Sequence, residues 1–255
     1  MEQMRKTADS LMAVNLIYLA QDTIYSQEKD RYLGYAARLL KKGRKNQVGK
    51  GYRHIIFDLD GTLIDTRDAV LKTWQYTLRR YHYEYALDEL EGVLGIPLAE
   101  GLKVLSVKVD DQFNKAWAED YLRFCEESDY FDGVQEMLQM LRQQGHTLGI
   151  VTSRLRREYD AYFKPLNLKE RIDLFVYADD TDKHKPDPEP LRKYMELTHA
   201  EPSSCIYIGD MATDMECAKK AGIASGYAGW NEANTVCWEA DYMFHSPKAL
   251  LETLL

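Results

Sequence analysis

Two carboxylates stand where an apolar run stops in residues 54–66, which read H-I-I-F-D-L-D-G-T-L-I-D-T. Ile55, Ile56 and Phe57 give way to Asp58 and Asp60, and Gly61 and Thr62 follow. Burying an unpaired carboxylate is costly, so a pair of them at the end of a hydrophobic strand argues for a site that supplies a cation, most simply a metal ion. A strand end meeting solvent is the other reading, and this stretch alone leaves the two even.

Three further stretches carry polar groups in comparable places. Thr152 and Ser153 close the apolar run 147–151, Lys183 and Lys185 stand before Pro186, and Gly209, Asp210 and Asp214 follow the run 205–208. These runs must be positioned by the elements around them. Apolar spacing predicts a helix over 65–81, and helical patterns continue over 87–94, 98–106 and 111–127 with no strand between them. From Gly133 the pattern turns regular: helix to Gln144, strand 147–151, helix 154–165, strand 173–177, a helix after Pro188, strand 205–208, helix 212–221 and a short strand near 223–227. Strands alternating with helices of this length imply right-handed crossovers and an α/β doubly wound parallel sheet, covered on both faces. Ligands of such sheets lie beyond the carboxyl ends of the strands, which is where all four polar sets fall.

Composition narrows the function classes. The chain has 255 residues, 45% of them hydrophobic, enough for a sizeable core without disulfide staples. Acidic residues outnumber basic ones 41 to 33, for a net charge of −8, which disfavours nucleic acid as the main partner but leaves room for a small phosphorylated substrate. Cys125, Cys205, Cys217 and Cys237 lack zinc spacing and the density of a secreted scaffold, so reduced thiols in a cytoplasmic protein are expected. The apolar stretch 11–20 contains Asn15 and has no basic lead-in, so neither a signal peptide nor a membrane span is expected.

Residues 1–50 carry two apolar stripes at helical spacing, Met12, Leu16 and Leu19, then Leu33, Ala36 and Leu40, followed by the basic cluster Lys41, Lys42, Arg44 and Lys45. They read as an N-terminal helical extension whose apolar faces pack on the main domain or on a second copy of the chain, which would make a homo-oligomer.

DLDGT, VTSR, the lysine of KPDP and IGDMATD resemble, in that order, the four motifs of haloacid dehalogenase-superfamily phosphatases. The resemblance covers about residues 53–255. It implies a core of 51–65 and 131–255, and a helical cap inserted at 66–130. Gly95-Ile96-Pro97-Leu98 and the ending around Asp241-Tyr242 and Ser246-Pro247 are similar to the phosphoglycolate phosphatase-like branch; Asp132 and Met211 depart from its pattern.

The resemblance also implies site roles. Asp58 would be the nucleophile of an aspartyl-phosphate mechanism, and Asp60 the acid and then the base, partly protonated near neutrality and facing the cap. Mg2+ would be held by the Asp58 and Asp210 carboxylates and the Asp60 carbonyl, with Asp214 supporting the site. Thr152 and the Ser153 amide would bind the phosphoryl oxygens and Lys185 would offset their charge. The Gly61 and Thr62 amides would add donors, and Arg154 is a candidate substrate contact, or else part of a charged helix face with Arg156 and Arg157. Lys183 reads as a solvated loop lysine. The implied activity is hydrolysis of a small phosphomonoester metabolite. Asp60 argues against dehalogenation and phosphonate cleavage, and Val70, where a sugar-phosphate mutase typically carries histidine, lowers that reading. A pyrophosphatase or nucleotidase of the same branch, or a catalytically silent scaffold, are the other expectations.

Overall fold

The computed structural model describes residues 51–94, 98–231 and 239–255. The extension at 1–50, the oligomer it would form, the stretch 95–97 and Cys237 lie outside the described residues.

Strand β1 (His54–Phe57) is wholly buried and lies inside a six-stranded parallel sheet. Its neighbours are β4 (Thr147–Val151) and β6 (Cys205–Gly209). Outside these run β5 (Leu174–Val176) on one flank, then β7 (Ala224–Ala228) and β8 (Tyr242–Phe244) on the other, in the order β5-β4-β1-β6-β7-β8. The chain moves from β1 to β4 and β5, then returns to the other side of β1 as β6, so β1 sits at the switch point where such sheets open a crevice.

Both faces of β1 are covered, which explains why its residues are apolar without alternation. Ile55 and Phe57 join one core cluster with Val134, Leu138, Leu141 and Leu250. Ile56 turns to the opposite face and meets Val151, Leu191, Tyr194, Tyr207 and Ala218. Register aligns the strand ends: Phe57 pairs with Ile150 on one side and with Ile208 on the other. Residues that follow Phe57, Val151 and Gly209 therefore emerge side by side.

Between β1 and β4 the chain leaves the sheet through β2 (Ile64–Asp65) and returns through β3 (Asp129–Tyr130), which pair antiparallel with Ile64 opposite Tyr130 and Asp65 opposite Asp129. The insertion contains helices α1 (Arg67–Arg80), α2 (Leu98–Val104) and α3 (Phe113–Tyr121), and its own core of Leu71, Trp74, Leu78, Leu90, Val93 and Phe113. This is a helical cap on an α/β core. Helices α4 (Val134–Gln143), α5 (Arg156–Tyr162), α6 (Glu189–Thr198), α7 (Ala212–Ala221) and α8 (Pro247–Leu254) complete the described α-helices.

Several expected elements are shorter. The helix over 65–81 begins at Arg67 because Asp65 is taken into the β2–β3 pairing. Residues 88–93 form a 3-10 helix, and the stretch 111–127 divides into α3 and a 3-10 turn at Cys125–Glu127. The helix over 154–165 begins only at Arg156: the Thr152 hydroxyl oxygen accepts the Arg154 amide at 3.1 Å, and the Glu158 carboxylate accepts the Leu155 amide at 3.0 Å, fixing the start of the helix after Arg154. Arg154 is therefore not part of a helix face.

Candidate active site

Asp58, Thr152 and Asp210 directly follow strands β1, β4 and β6, while Lys185 comes from the loop after β5 and Asp214 from the first turn of α7. The Asp58 amide donates to the Ile208 carbonyl at 2.8 Å, extending the β1–β6 ladder by one residue and fixing the backbone from which its carboxylate projects. Asp58, Asp210 and Asp214 are all buried, and one carboxylate oxygen from each lies within 4.8 Å of the others. The Lys185 ammonium donates to Asp58 Oδ1 and to Asp214 Oδ1, both at 2.7 Å. Burial pushes the Asp58 carboxyl well above the usual range; Lys185 works against this, and Asp214 and Asp210 add to it. Burial also disfavours the Lys185 ammonium, but Asp214 and Asp58 outweigh it and hold the group above an ordinary lysine.

Within this cluster three carboxylates face one ammonium. Fully ionised, they leave two negative charges in a buried site, the complement of one divalent cation. All the donor atoms are oxygens, which suits a hard ion such as Mg2+. Thr62 Oγ1 donates to Asp210 Oδ1 at 3.1 Å, tying that carboxylate back to the loop after β1. Gly61 makes that approach feasible: its φ is +76°, and a Cβ there would fall 2.3 Å from Asp210 Oδ2. Asp214 is turned inward, with Oδ2 accepting the Met211 amide at 2.9 Å and Oδ1 held by Lys185, so it acts through the lysine.

Asp60 occupies a different setting. Arg154 grips it with a fork: Nε lies 3.1 Å from Oδ2 and Nη2 lies 2.7 Å from Oδ1. Burial alone would raise the Asp60 carboxyl, but the Arg154 guanidinium outweighs it, a hydrogen bond from Thr66 adds to the effect, and the group sits below the usual carboxylate range. Partial protonation near neutrality was expected here; the arginine beside it instead holds a carboxylate. Arg154, the candidate substrate contact, is committed to that pair.

The structure brings Asp58, Lys185, Asp210 and Asp214 into one contact network, with Asp60 on the cap-facing side. Thr152 is buried at the end of β4, with Ser153 following it. The Gly61 amide donates to the Ile64 carbonyl at 2.8 Å in the turn that leads to β2, so it is spent inside the chain and is removed from the expected phosphate donors. Lys183 is exposed and 3.7 Å from Asp187, as a solvated loop lysine would be.

Three residues escaped sequence reasoning. The Tyr207 hydroxyl lies 2.9 Å from the Val151 carbonyl, to which it donates, 3.2 Å from Lys185 Nζ and 3.2 Å from Asp214 Oδ1, joining the ends of β4 and β6 to the lysine loop. Trp230 Nε1 donates to the Thr62 carbonyl at 2.8 Å, and Asn231 Nδ2 to the Gly61 carbonyl at 3.2 Å, so the segment after β7 clamps the loop after β1. A hydroxyl in the otherwise apolar run C-I-Y-I-G was the available signal for Tyr207; nothing in the local sequence marks Trp230 or Asn231.

A parallel sheet with an acid-lined carboxyl edge and an inserted helical cap defines a capped α/β hydrolase. Residues 55–228 match the haloacid dehalogenase-like hydrolase family, and the chain belongs to it. Pyrophosphatase PpaX of Bacillus velezensis is 32% identical over 202 residues, covering 77% of this chain and 94% of that protein. A crystal structure from Lactobacillus plantarum, named as a presumed phosphoglycolate phosphatase, superposes with a TM-score of 0.72 at 25% identity, over 79% of this chain and 99% of that one. A haloacid dehalogenase-like protein of Streptococcus pneumoniae shares the fold, with a TM-score of 0.69 at 22% identity over 81% of this chain and all of that one. The protein is thus a hydrolase of a family with phosphatase-named members. Among the described residues, no helix is long and apolar enough to cross a membrane.

Proposed function

We propose that this protein is a Mg2+-dependent phosphatase that hydrolyses small phosphomonoesters of the phosphoglycolate type through an aspartyl-phosphate on Asp58. One observation carries the reading: Lys185 bridges Asp58 and Asp214 at 2.7 Å beside Asp210, an arrangement with a nucleophile, a fixed cation and surplus negative charge in one buried place. A divalent cation held by the Asp58 and Asp210 carboxylates and the Asp60 carbonyl, with Asp214 in support, would supply charge neutralisation for the phosphoryl group.

The chain's own groups do the rest. An Asp58 oxygen attacks phosphorus in line with the ester oxygen, which leaves with its bonding electrons. The Thr152 hydroxyl, the Ser153 amide and the Thr62 amide donate to the phosphoryl oxygens, and Lys185 offsets their charge. Asp60 rests as a carboxylate; an incoming phosphate dianion raises its proton affinity, so it takes up one proton from solvent as substrate binds and passes that proton to the leaving oxygen. Back in its carboxylate form, it accepts a proton from the water that hydrolyses the aspartyl-phosphate.

Inorganic pyrophosphate is the second substrate reading, favoured by the 32% identity to a protein named as a pyrophosphatase. A phosphate-release screen over small phosphomonoesters, with pyrophosphate and nucleotides among them and MgCl2 present, tests both. The expected result is turnover of a small phosphomonoester that disappears in Asp58→Asn. Pyrophosphate as the preferred substrate would replace the first reading with the second, and no turnover above the Asp58→Asn control would overturn both.

A further inference from the structure

Arg154 is held unusually firmly for a residue between a strand and a helix. Its amide donates to Thr152 Oγ1 at 3.1 Å and its carbonyl accepts the Ala178 amide at 2.9 Å, so the loops after β4 and β5 fix its backbone. Its guanidinium carbon lies 4.8 Å from the ring centre of Tyr121, 5.4 Å from that of Phe163 and 5.7 Å from that of Tyr162. The side chain is 13% exposed, against 28% for Asp60. A planar cation walled by three rings and anchored at both backbone ends has one place to put its fork, and that place is Asp60. A substrate clamp would need donors turned toward the substrate; here Nε and Nη2 are turned to the carboxylate, and Nη2 also lies 3.4 Å from the Tyr121 hydroxyl.

We infer that Arg154 is a positioning residue, which aims the Asp60 carboxyl at the leaving oxygen. The role rests on the phosphatase reading above. In the step it serves, the bond from an Asp58 oxygen to phosphorus forms, the phosphorus–oxygen ester bond breaks with its electron pair on oxygen, and the proton that Asp60 took up from solvent on substrate binding moves to that oxygen. Fork geometry sets direction as well as charge, which a lysine cannot reproduce. Good leaving groups depart without that proton, and poor ones need it.

The test compares kcat/KM, which reports phosphorylation of Asp58, for p-nitrophenyl phosphate and phenyl phosphate, two substrates of similar shape and different leaving ability. Arg154→Gln should lower kcat/KM for phenyl phosphate by on the order of 10-fold or more, a part of the effect of positioned proton transfer, and change it little for p-nitrophenyl phosphate. Arg154→Lys, which keeps a cation at this point of the fold, should shift the ratio in the same direction by less. Because the readout is a ratio on one preparation, partial loss of folded enzyme cancels. Equal losses on both substrates would reduce Arg154 to a structural part, and a rise in KM alone would make it a substrate clamp; either overturns the inference. Wild-type turnover that is absent, or that survives Asp58→Asn, would instead overturn the phosphatase reading and this role with it.

Discussion

Asp58 and Asp60 are two residues apart, each paired with one cation, and their surroundings drive them in opposite directions. On the Asp58 side, Lys185 is shared among acids that outnumber it, and the buried Asp58 carboxyl is held above the ordinary carboxylate range. On the Asp60 side one guanidinium meets one carboxylate between aromatic rings, and the acid is held below that range. The first site holds more carboxylates than cations, the complement of the divalent ion proposed for it. The second is closed, and its function is direction. The end of β1 at Phe57 is what separates them: inside a strand, residues two apart share a face, and only a backbone that has left strand geometry can send Asp58 and Asp60 into two compartments.

The contrast breaks most severely at Asp58. Asp58→Asn should remove turnover by on the order of 10⁴ or more, as loss of a nucleophile does in other covalent enzymes. If the three acids of that side outweigh Lys185, the same variant should melt higher than the metal-free wild type, because a buried carboxylate in a like-charged cluster has been neutralised. A lower melting temperature would mean that Lys185 already balances the cluster.

Lys185→Ala comes next, with kcat reduced by on the order of 10²–10³, the cost of one preorganised charge-stabilising donor. An unchanged kcat would separate Lys185 from the reacting group.

Third, Mg2+ should raise the melting temperature of the wild type by the equivalent of about 2.7 kcal/mol at a hundredfold excess over Kd, and should not do so in Asp210→Asn. The pH dependence has a definite sign. Asp58 has a raised folded pKa, so its folded form binds more protons than its unfolded form, and metal-free stability falls as pH rises from near 3.8 through the folded value. The Mg2+ stabilisation should therefore grow with pH over that window. Asp60, with its depressed value, contributes stability that is present above the ordinary carboxylate pKa and lost as pH falls through the folded one. Acid melts of Arg154→Gln should lack that contribution. A Mg2+ response independent of pH in the acid range would sink the surplus-charge account.

The smallest effect is expected at Tyr207. Tyr207→Phe removes a hydroxyl that donates to Val151 while leaving the ring packed, and kcat should fall by about 2–10-fold, as one buried neutral hydrogen bond would give. Loss on the scale of Lys185→Ala would promote Tyr207 to an equal partner in holding the lysine.

Much of the catalytic edge was legible because it follows from local chemistry. Apolar runs that stop at polar residues mark β1, β4 and β6, and the resemblance named Asp58, Asp210 and Asp214 from the β1 and β6 endings and Lys185 from the KPDP loop. What escaped depended on distance in sequence. β2 and β3 have two residues each and exist only because they meet across the insertion, so no periodicity could announce them. β8 is short and α8 follows it as the last element, capped by the Ser246 hydroxyl oxygen that accepts the Ala249 amide. Arg154 reads either as a substrate contact or as surface charge because three arginines cluster at 154–157; burial among three rings distinguishes it from Arg156, which is half exposed, lies over the single ring of Tyr177 and is bound to Asp180. The Gly61 amide looked available because the turn that consumes it closes only when Ile64 folds back.

The two-rung ribbon of β2 and β3 has a further consequence. Chain exit and re-entry lie side by side, with Asp65 facing Asp129, so the intervening helices impose almost no loop-closure demand on the sheet. Topologically the insertion hangs from a single two-rung junction, so its length is not fixed by the register of the sheet. The insertion and the sheet still meet in one core, where Tyr121 packs with the main cluster and closes over Arg154.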